Sequence, residues 1–185
     1  FYAVSEIVPL PLAGDITSDT VWSAMSGPYI LTGMVRVLAG SSLRIEPGVR
    51  IDCTPGSGLT VTAGVLHISG SPDEPVHFGL ADGSFGAGSW QGVRVEGRGG
   101  HIITISNATI EHAETGLWLQ GGTGVVDGVV VRGCVSGGVA VASFTGSILR
   151  STMADNRNSD GAGICARRAR LLIQQCNLSG NWACG

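Results

Sequence analysis

Glu111, His112 and Glu114 form the compact acid–histidine group of this chain. A carboxylate beside an imidazole can act as a general base or a metal ligand near neutral pH. No ligand spacing repeats around these three, so no metal is expected, and the plainer account is a surface patch at a bend. Asp73 and Glu74 are adjacent and precede Pro75, which reads as a solvated turn. Arg167, Arg168 and Arg170 cluster without an acidic run facing them, so they decorate a turn or meet an acidic partner. His67 and His77 each sit between apolar residues at alternating positions and should point outward, while His101 stands alone.

Composition removes several chemistries. The 11 basic residues are all arginine. Without lysine there is no Schiff-base nucleophile and no phosphate-loop lysine. Charged residues make up 14% and the net charge is −3, which argues against nucleic acid as a partner. Nothing in the sequence asks for a cofactor. No apolar run approaches the ~20 residues of a membrane span. A chain that opens on Phe1 reads as processed or as part of a longer one.

The five cysteines are Cys53, Cys134, Cys165, Cys176 and Cys184, and no CxxC pair occurs. A zinc site is therefore unsupported. A disulfide from Cys176 to Cys184 or to Cys165 fits the spacing, and Cys53 is free or paired elsewhere. Asn107-Ala108-Thr109 and Asn177-Leu178-Ser179 are glycosylation sequons. Clustered cysteines and sequons together lean towards an oxidising, extracellular compartment.

The elements that must position these residues are short. Glycine supplies 30 of 185 residues and breaks nearly every helical window. Apolar residues alternate over three to five positions, as in Val35-Arg36-Val37, Leu59-Thr60-Val61 and Val139-Ala140-Val141. That is the period of a strand, and no Asn-Gly hairpin signal joins the runs.

Two ladders repeat in phase. One runs Ile110-Glu111-His112-Ala113, Val131-Arg132-Gly133-Cys134, Met153-Ala154-Asp155-Asn156 and Leu178-Ser179-Gly180-Asn181. The other runs Gly92-Val93-Arg94-Val95, Gly116-Leu117-Trp118-Leu119, Gly138-Val139-Ala140-Val141 and Gly163-Ile164-Cys165-Ala166. A shared period of about 22–25 residues predicts an all-β solenoid, a parallel β-helix. Residues 1–185 form one domain on this account. Residues 1–13 are a candidate N-terminal cap, 14–90 irregular proline-containing coils, and 91–185 regular coils expected to continue further. About eight coils would give a rod of about 35 Å.

Stacking makes specific claims. Ile110, Val131, Met153 and Leu178 should form one apolar column, and Val93, Leu117, Val139 and Ile164 another. Asn156 and Asn181 should form an amide ladder along the rod. Glu111 and Arg132 should make an exposed ion pair worth at most about 1 kcal/mol. Arg94 should stack on Trp118, a candidate binding pair, with Trp118 either a platform for a sugar or partner or a ring covered by a loop. The glycines at 92, 116, 138 and 163 should mark coil corners.

The stretch LRIEPGVRI (43–51), with SGLTVTAGVLHISG (57–70) and DEPVHF (73–78), resembles right-handed parallel β-helix repeat proteins. Asp19-Thr20-Val21-Trp22, Gly27-Pro28-Tyr29-Ile30 and Trp90-Gln91-Gly92-Val93 fit the same family. The resemblance covers the chain from about Gly14. It implies the fold strongly and function weakly, because lyases, hydrolases, adhesins and scaffolds share it. Hydrolases of the fold use clustered aspartates, and no Asp-Asp pair occurs here. Its lyases pair calcium-binding carboxylates with a basic residue, a part arginine would have to take. The resemblance to large secreted or cell-surface members implies an extracellular structural or adhesive scaffold. Its partners would be protein segments met through the ends and faces of the rod. The alternative is a polysaccharide-binding or polysaccharide-cleaving protein.

Overall fold

The computed structural model describes residues 8–81, 86–97 and 101–183. Its strands run as β1 (Leu10–Ile16), β2 (Thr20–Trp22), β3 (Tyr29–Val37), β4 (Ser42–Ile45), β5 (Arg50–Cys53), β6 (Gly58–Val61), β7 (Val65–Ser69), β8 (Val76–Leu80), β9 (Val93–Val95) and β10 (Ile102–Ser106). They continue as β11 (Ala108–Glu111), β12 (Leu117–Gln120), β13 (Thr123–Asp127), β14 (Val130–Arg132), β15 (Val139–Ala142), β16 (Thr145–Leu149), β17 (Thr152–Ala154), β18 (Ile164–Arg167), β19 (Arg170–Gln174) and β20 (Asn177–Ser179).

These strands wind into three faces of a parallel solenoid. One face is the run β19-β16-β13-β10-β7-β4-β2, whose seven strands count seven coils, against the eight or so expected. A second is β18-β15-β12-β9-β6, and a third is β5-β8-β11-β14-β17-β20. The long strand β3 joins the second and third, since Tyr29–Leu31 pair with β5 and Met34–Val37 pair with β6. Inter-coil pairing is parallel, so each coil's backbone groups bond to its neighbours. A coil cannot satisfy those groups alone, which makes stability a nearest-neighbour property.

Both ladders are in register. Ile110 pairs with Val131, Val131 with Met153, and Met153 with Leu178. Val93 pairs with Leu117, Leu117 with Val139, and Val139 with Ile164. Alternation sends these residues into the core, where Ile110, Val131, Met153, Val93 and Leu117 are fully buried. Each such side chain contributes roughly 1.5–3 kcal/mol. Stacked aromatic pairs add to this, Trp22 on Tyr29 at 5.5 Å and Phe78 on Trp90 at 6.2 Å between centroids. In the last described coil the same inward column is open, with Leu178 53% exposed.

Corners recur with the coils. Asn107, Arg150 and Gln175 hold positive φ at one corner, His112 and Asp155 at a second, Ser143 and Arg168 at a third. The strain of such residues is tolerated because the stack fixes them. The amides of His112, Ser143, Arg150 and Asp155 each donate to a carbonyl of the next coil.

The early, proline-containing half follows the same three-sided path, so its irregularity lies in loop length and not in architecture. Strand β1 pairs parallel with β3 as an added layer at that end, and the boundary expected at 13/14 falls inside it. Residues 1–7 of the expected cap lie outside the described residues.

Candidate functional site

The outer surface of β12, β15 and β18 holds a concavity. Register aligns Arg94, Trp118, Ala140 and Cys165 in one outward column. Gln120, Ala142 and Arg167 form the next. Two alanines in succession leave a dip between the bulky Trp118 and the following coil. The result is a cleft of about 250 Å³ lined by Trp118, Ala140, Ala142, Cys165, Asp160 and Arg167, with Ser136 and Asn158 at its side.

The loop between β17 and β18 closes one flank of that cleft. Asn158 donates from Nδ2 to the Ser136 carbonyl at 3.0 Å, and its Oδ1 accepts from the Asp160 amide at 3.2 Å. Arg167 binds Asp160 at 2.6 Å, so this arginine meets an acid of its own coil. At the opposite end the Arg94 guanidinium lies over the Trp118 ring at 5.2 Å, as the register required. Arg94 is held there by Glu96 at 2.7 Å. Trp118 is half-buried, neither a fully exposed platform nor a covered ring.

The structure does not gather Glu111, His112 and Glu114 into one site. Glu111 points outward from β11, pairs with Arg132 of the next coil, and has its other carboxylate oxygen 3.4 Å from His77 Nε2. The pair with Arg132 forms as expected, but Glu111 is only 8% exposed, so it is not a surface pair. Its burial has a cause. Ile110 pairs with Phe78, which sets Glu111 beside Gly79, and the His77 ring lies over Gly79, where a Cβ would meet it at 2.7 Å. His77 is therefore half-buried against a carboxylate instead of standing free outside. His112 is exposed at a corner with its ring against Gly133, and Glu114 is exposed in the following turn. His101 is buried at 1% exposure.

Asn156 and Asn181 form the expected amide ladder. Asn156 Oδ1 accepts from the Cys134 amide at 3.0 Å, and its Nδ2 donates to the Val131 carbonyl at 3.0 Å and to Asn181 Oδ1 at 3.1 Å. Asn181 Nδ2 donates to the Met153 carbonyl at 2.7 Å. The ladder also corrects the expectation for the glycine column. Gly92 has φ of 95°, but Gly116, Gly138 and Gly163 are not at positive φ. A Cβ on Gly138 would lie 2.7 Å from Asn156 Nδ2 and 2.8 Å from the Gly163 carbonyl. A Cβ on Gly116 would lie 2.2 Å from Val131 and 3.1 Å from Cys134 Sγ. These glycines make room for the ladder column that packs against them.

Cys165 and Cys176 both carry free thiols, so the pairing between them is not formed, and Cys184 lies outside the described residues. Cys165 points outward from β18 into the cleft, whereas Cys176 packs against the core and donates to the Ile148 carbonyl. Burial pushes the Cys134 thiol up to about 11, and Cys53 is raised further, first by burial and then by Asp52. Both are unreactive core residues. Asn107 takes a corner at φ 47° and donates from Nδ2 to the Gly70 carbonyl at 2.9 Å, which ties up its amide nitrogen. Asn177 is exposed on β20.

A right-handed parallel β-helix is thus the class that strands, register and ladders define. The profile described as a right handed beta helix region matches residues 91–185, and the chain belongs to that family. Protein bark beetle of Drosophila melanogaster is 41% identical over 59 residues, 32% of this chain and 2% of that protein. No solved structure matches the chain.

Proposed function

We propose that the chain is a structural or adhesive β-helix scaffold of the cell exterior, part of a larger surface assembly. Its partners are protein segments met through the faces and ends of the rod. One observation carries this reading: outward charged and aromatic side chains are used to tie coil to coil. Glu111 pairs with Arg132, Asp127 with Arg150, Asp15 with Arg36, and Arg94 with Trp118, each across adjacent coils. The exposed Asp127–Arg150 and Asp15–Arg36 pairs are worth about 1 kcal/mol or less each, and the whole set resists slippage of one coil on the next.

Polysaccharide binding or cleavage is the second reading, supported by the cleft beside Trp118 and its polar rim. Two assays separate them. Beads coated with the chain should adhere to animal-cell surfaces, and protease treatment of those surfaces should abolish adhesion. A polysaccharide panel with calcium should show no cleavage. Robust cleavage lost in Glu111→Gln would overturn the scaffold reading.

A further inference from the structure

We infer that the cleft over Ala140 is a slot for one aromatic side chain of a protein partner, an inference that rests on the scaffold reading. Its walls are set by the coil spacing. Trp118 stands one coil below Ala140 and Cys165 one coil above, in register on the same face. Successive coils lie about 4.8 Å apart, so a ring over Ala140 falls within the roughly 4.5–7 Å range of stacked aromatic centroids. Its other face meets the Cys165 thiol, and sulfur beside an aromatic ring is a favourable contact. Ala140 and Ala142 give an apolar floor, and the volume of about 250 Å³ suits a single ring better than an extended ligand.

Charge selects the guest. One face of Trp118 is already taken by Arg94, and the far wall of the slot is Arg167. A guanidinium or ammonium guest would have to take Asp160 from Arg167 and leave that arginine unpaired beside it. A carboxylate guest would have to displace Asp160 from Arg167 and lose its water over two alanines. A neutral aromatic needs no counter-charge and offers its electron-rich face to the cation. A tyrosine hydroxyl can also reach for the polar groups of Ser136, Asn158 and Asp160 at the rim.

Cys165 reports occupancy, because it is a free thiol lining the slot. Its alkylation by iodoacetamide, read by peptide mass mapping on the whole chain, is measured with N-acetyl-tyrosinamide, N-acetyl-argininamide or cellobiose present. A single stacked ring is a millimolar ligand, and at about three times Kd it should slow alkylation about fourfold. The arginine amide and cellobiose should leave the rate unchanged. Ala140→Leu fills the slot, and its alkylation rate should no longer respond to the tyrosine amide. Its unfolding transition should stay close to that of the parent chain. The Trp118 indole signal in a nitrogen–proton correlation spectrum should shift with the tyrosine amide in the parent chain only.

No protection and no indole shift up to the solubility limit of the tyrosine amide would overturn the slot. Protection by cellobiose alone would overturn it in favour of a saccharide site. Bead adhesion is read separately. Adhesion without protection sinks the slot and leaves the scaffold standing. Protection without adhesion sinks the scaffold reading and leaves the slot standing.

Discussion

Asn156→Ala tests the amide ladder at its most buried point. Asn156 is fully buried and satisfies the Cys134 amide, the Val131 carbonyl and the Asn181 side chain. Alanine leaves the two backbone groups buried and unpaired, at about 1–3 kcal/mol each. Asn181 Oδ1 keeps one donor, the Asn156 backbone amide at 3.1 Å. The expected loss is about 4 kcal/mol, within a range of roughly 2–6. For a chain of this length that lowers Tm by about 8–16 °C. Urea unfolding followed by circular dichroism gives the free energy, and calorimetry gives Tm. Asn156→Asp adds a pH signature. It keeps an acceptor for Cys134 but removes the donor to Val131. Burial favours the neutral acid, so its folded pKa lies above the unfolded value. Its stability should then sit nearer the parent's at pH 4 than at pH 7, falling as pH rises through the folded pKa. A loss below about 1 kcal/mol in Asn156→Ala, or an Asp variant insensitive to pH, would show that the Asn156 amide does not hold the two coils together.

Other outcomes follow from the same geometry. Gly138→Ala should destabilise by about 1–3 kcal/mol because its Cβ meets Asn156 and the Gly163 carbonyl, and urea unfolding will show it. Arg132→Ala leaves a nearly buried Glu111 with His77 alone, and it should cost more than Glu111→Gln in the same assay. At pH 8 iodoacetamide should label Cys165 well before Cys134 in the folded chain. The folded Cys134 thiol is raised from its ordinary value near 9 to about 11, so its share of stability is present below pH 9 and lost as pH rises towards 11. A denaturation series from pH 8 to 11 reads this, and Cys134→Ala should flatten the decline. Expression in secretory cells should place glycan on Asn177 and not on Asn107, whose amide nitrogen is bonded to Gly70, as glycopeptide mapping will report.

How much could be read beforehand depended on periodicity. Inward positions such as Ile110, Val131 and Met153 are constrained by neighbours one coil away, so they recur at the coil period and the stack could be aligned from sequence. Once aligned, outward pairs followed, including Arg94 on Trp118 and Glu111 with Arg132. His77 could not be found this way. Its coil is of irregular length, and its approach to Glu111 depends on the missing side chain at Gly79. The cleft was hidden for a similar reason. It arises from the small size of Ala140 and Ala142 and from a loop that turns Asp160 back to Arg167. The glycine column was visible as a repeat, but its purpose lies in the Asn156 and Cys134 side chains that fill the space above it.

Each coil of the rod is a rung stabilised by the rungs on either side of it. Gly124 and Gly146 are register equivalents, so deleting residues 124–145 removes one rung and rejoins the chain in phase. Circular dichroism with urea unfolding on that deletion reads whether the remaining coils still stack as one cooperative unit. The expected result is a β-rich spectrum and a single cooperative transition, weakened but intact. A disordered spectrum, or loss of the cooperative transition, would show that the coils are not held by neighbour-to-neighbour stacking.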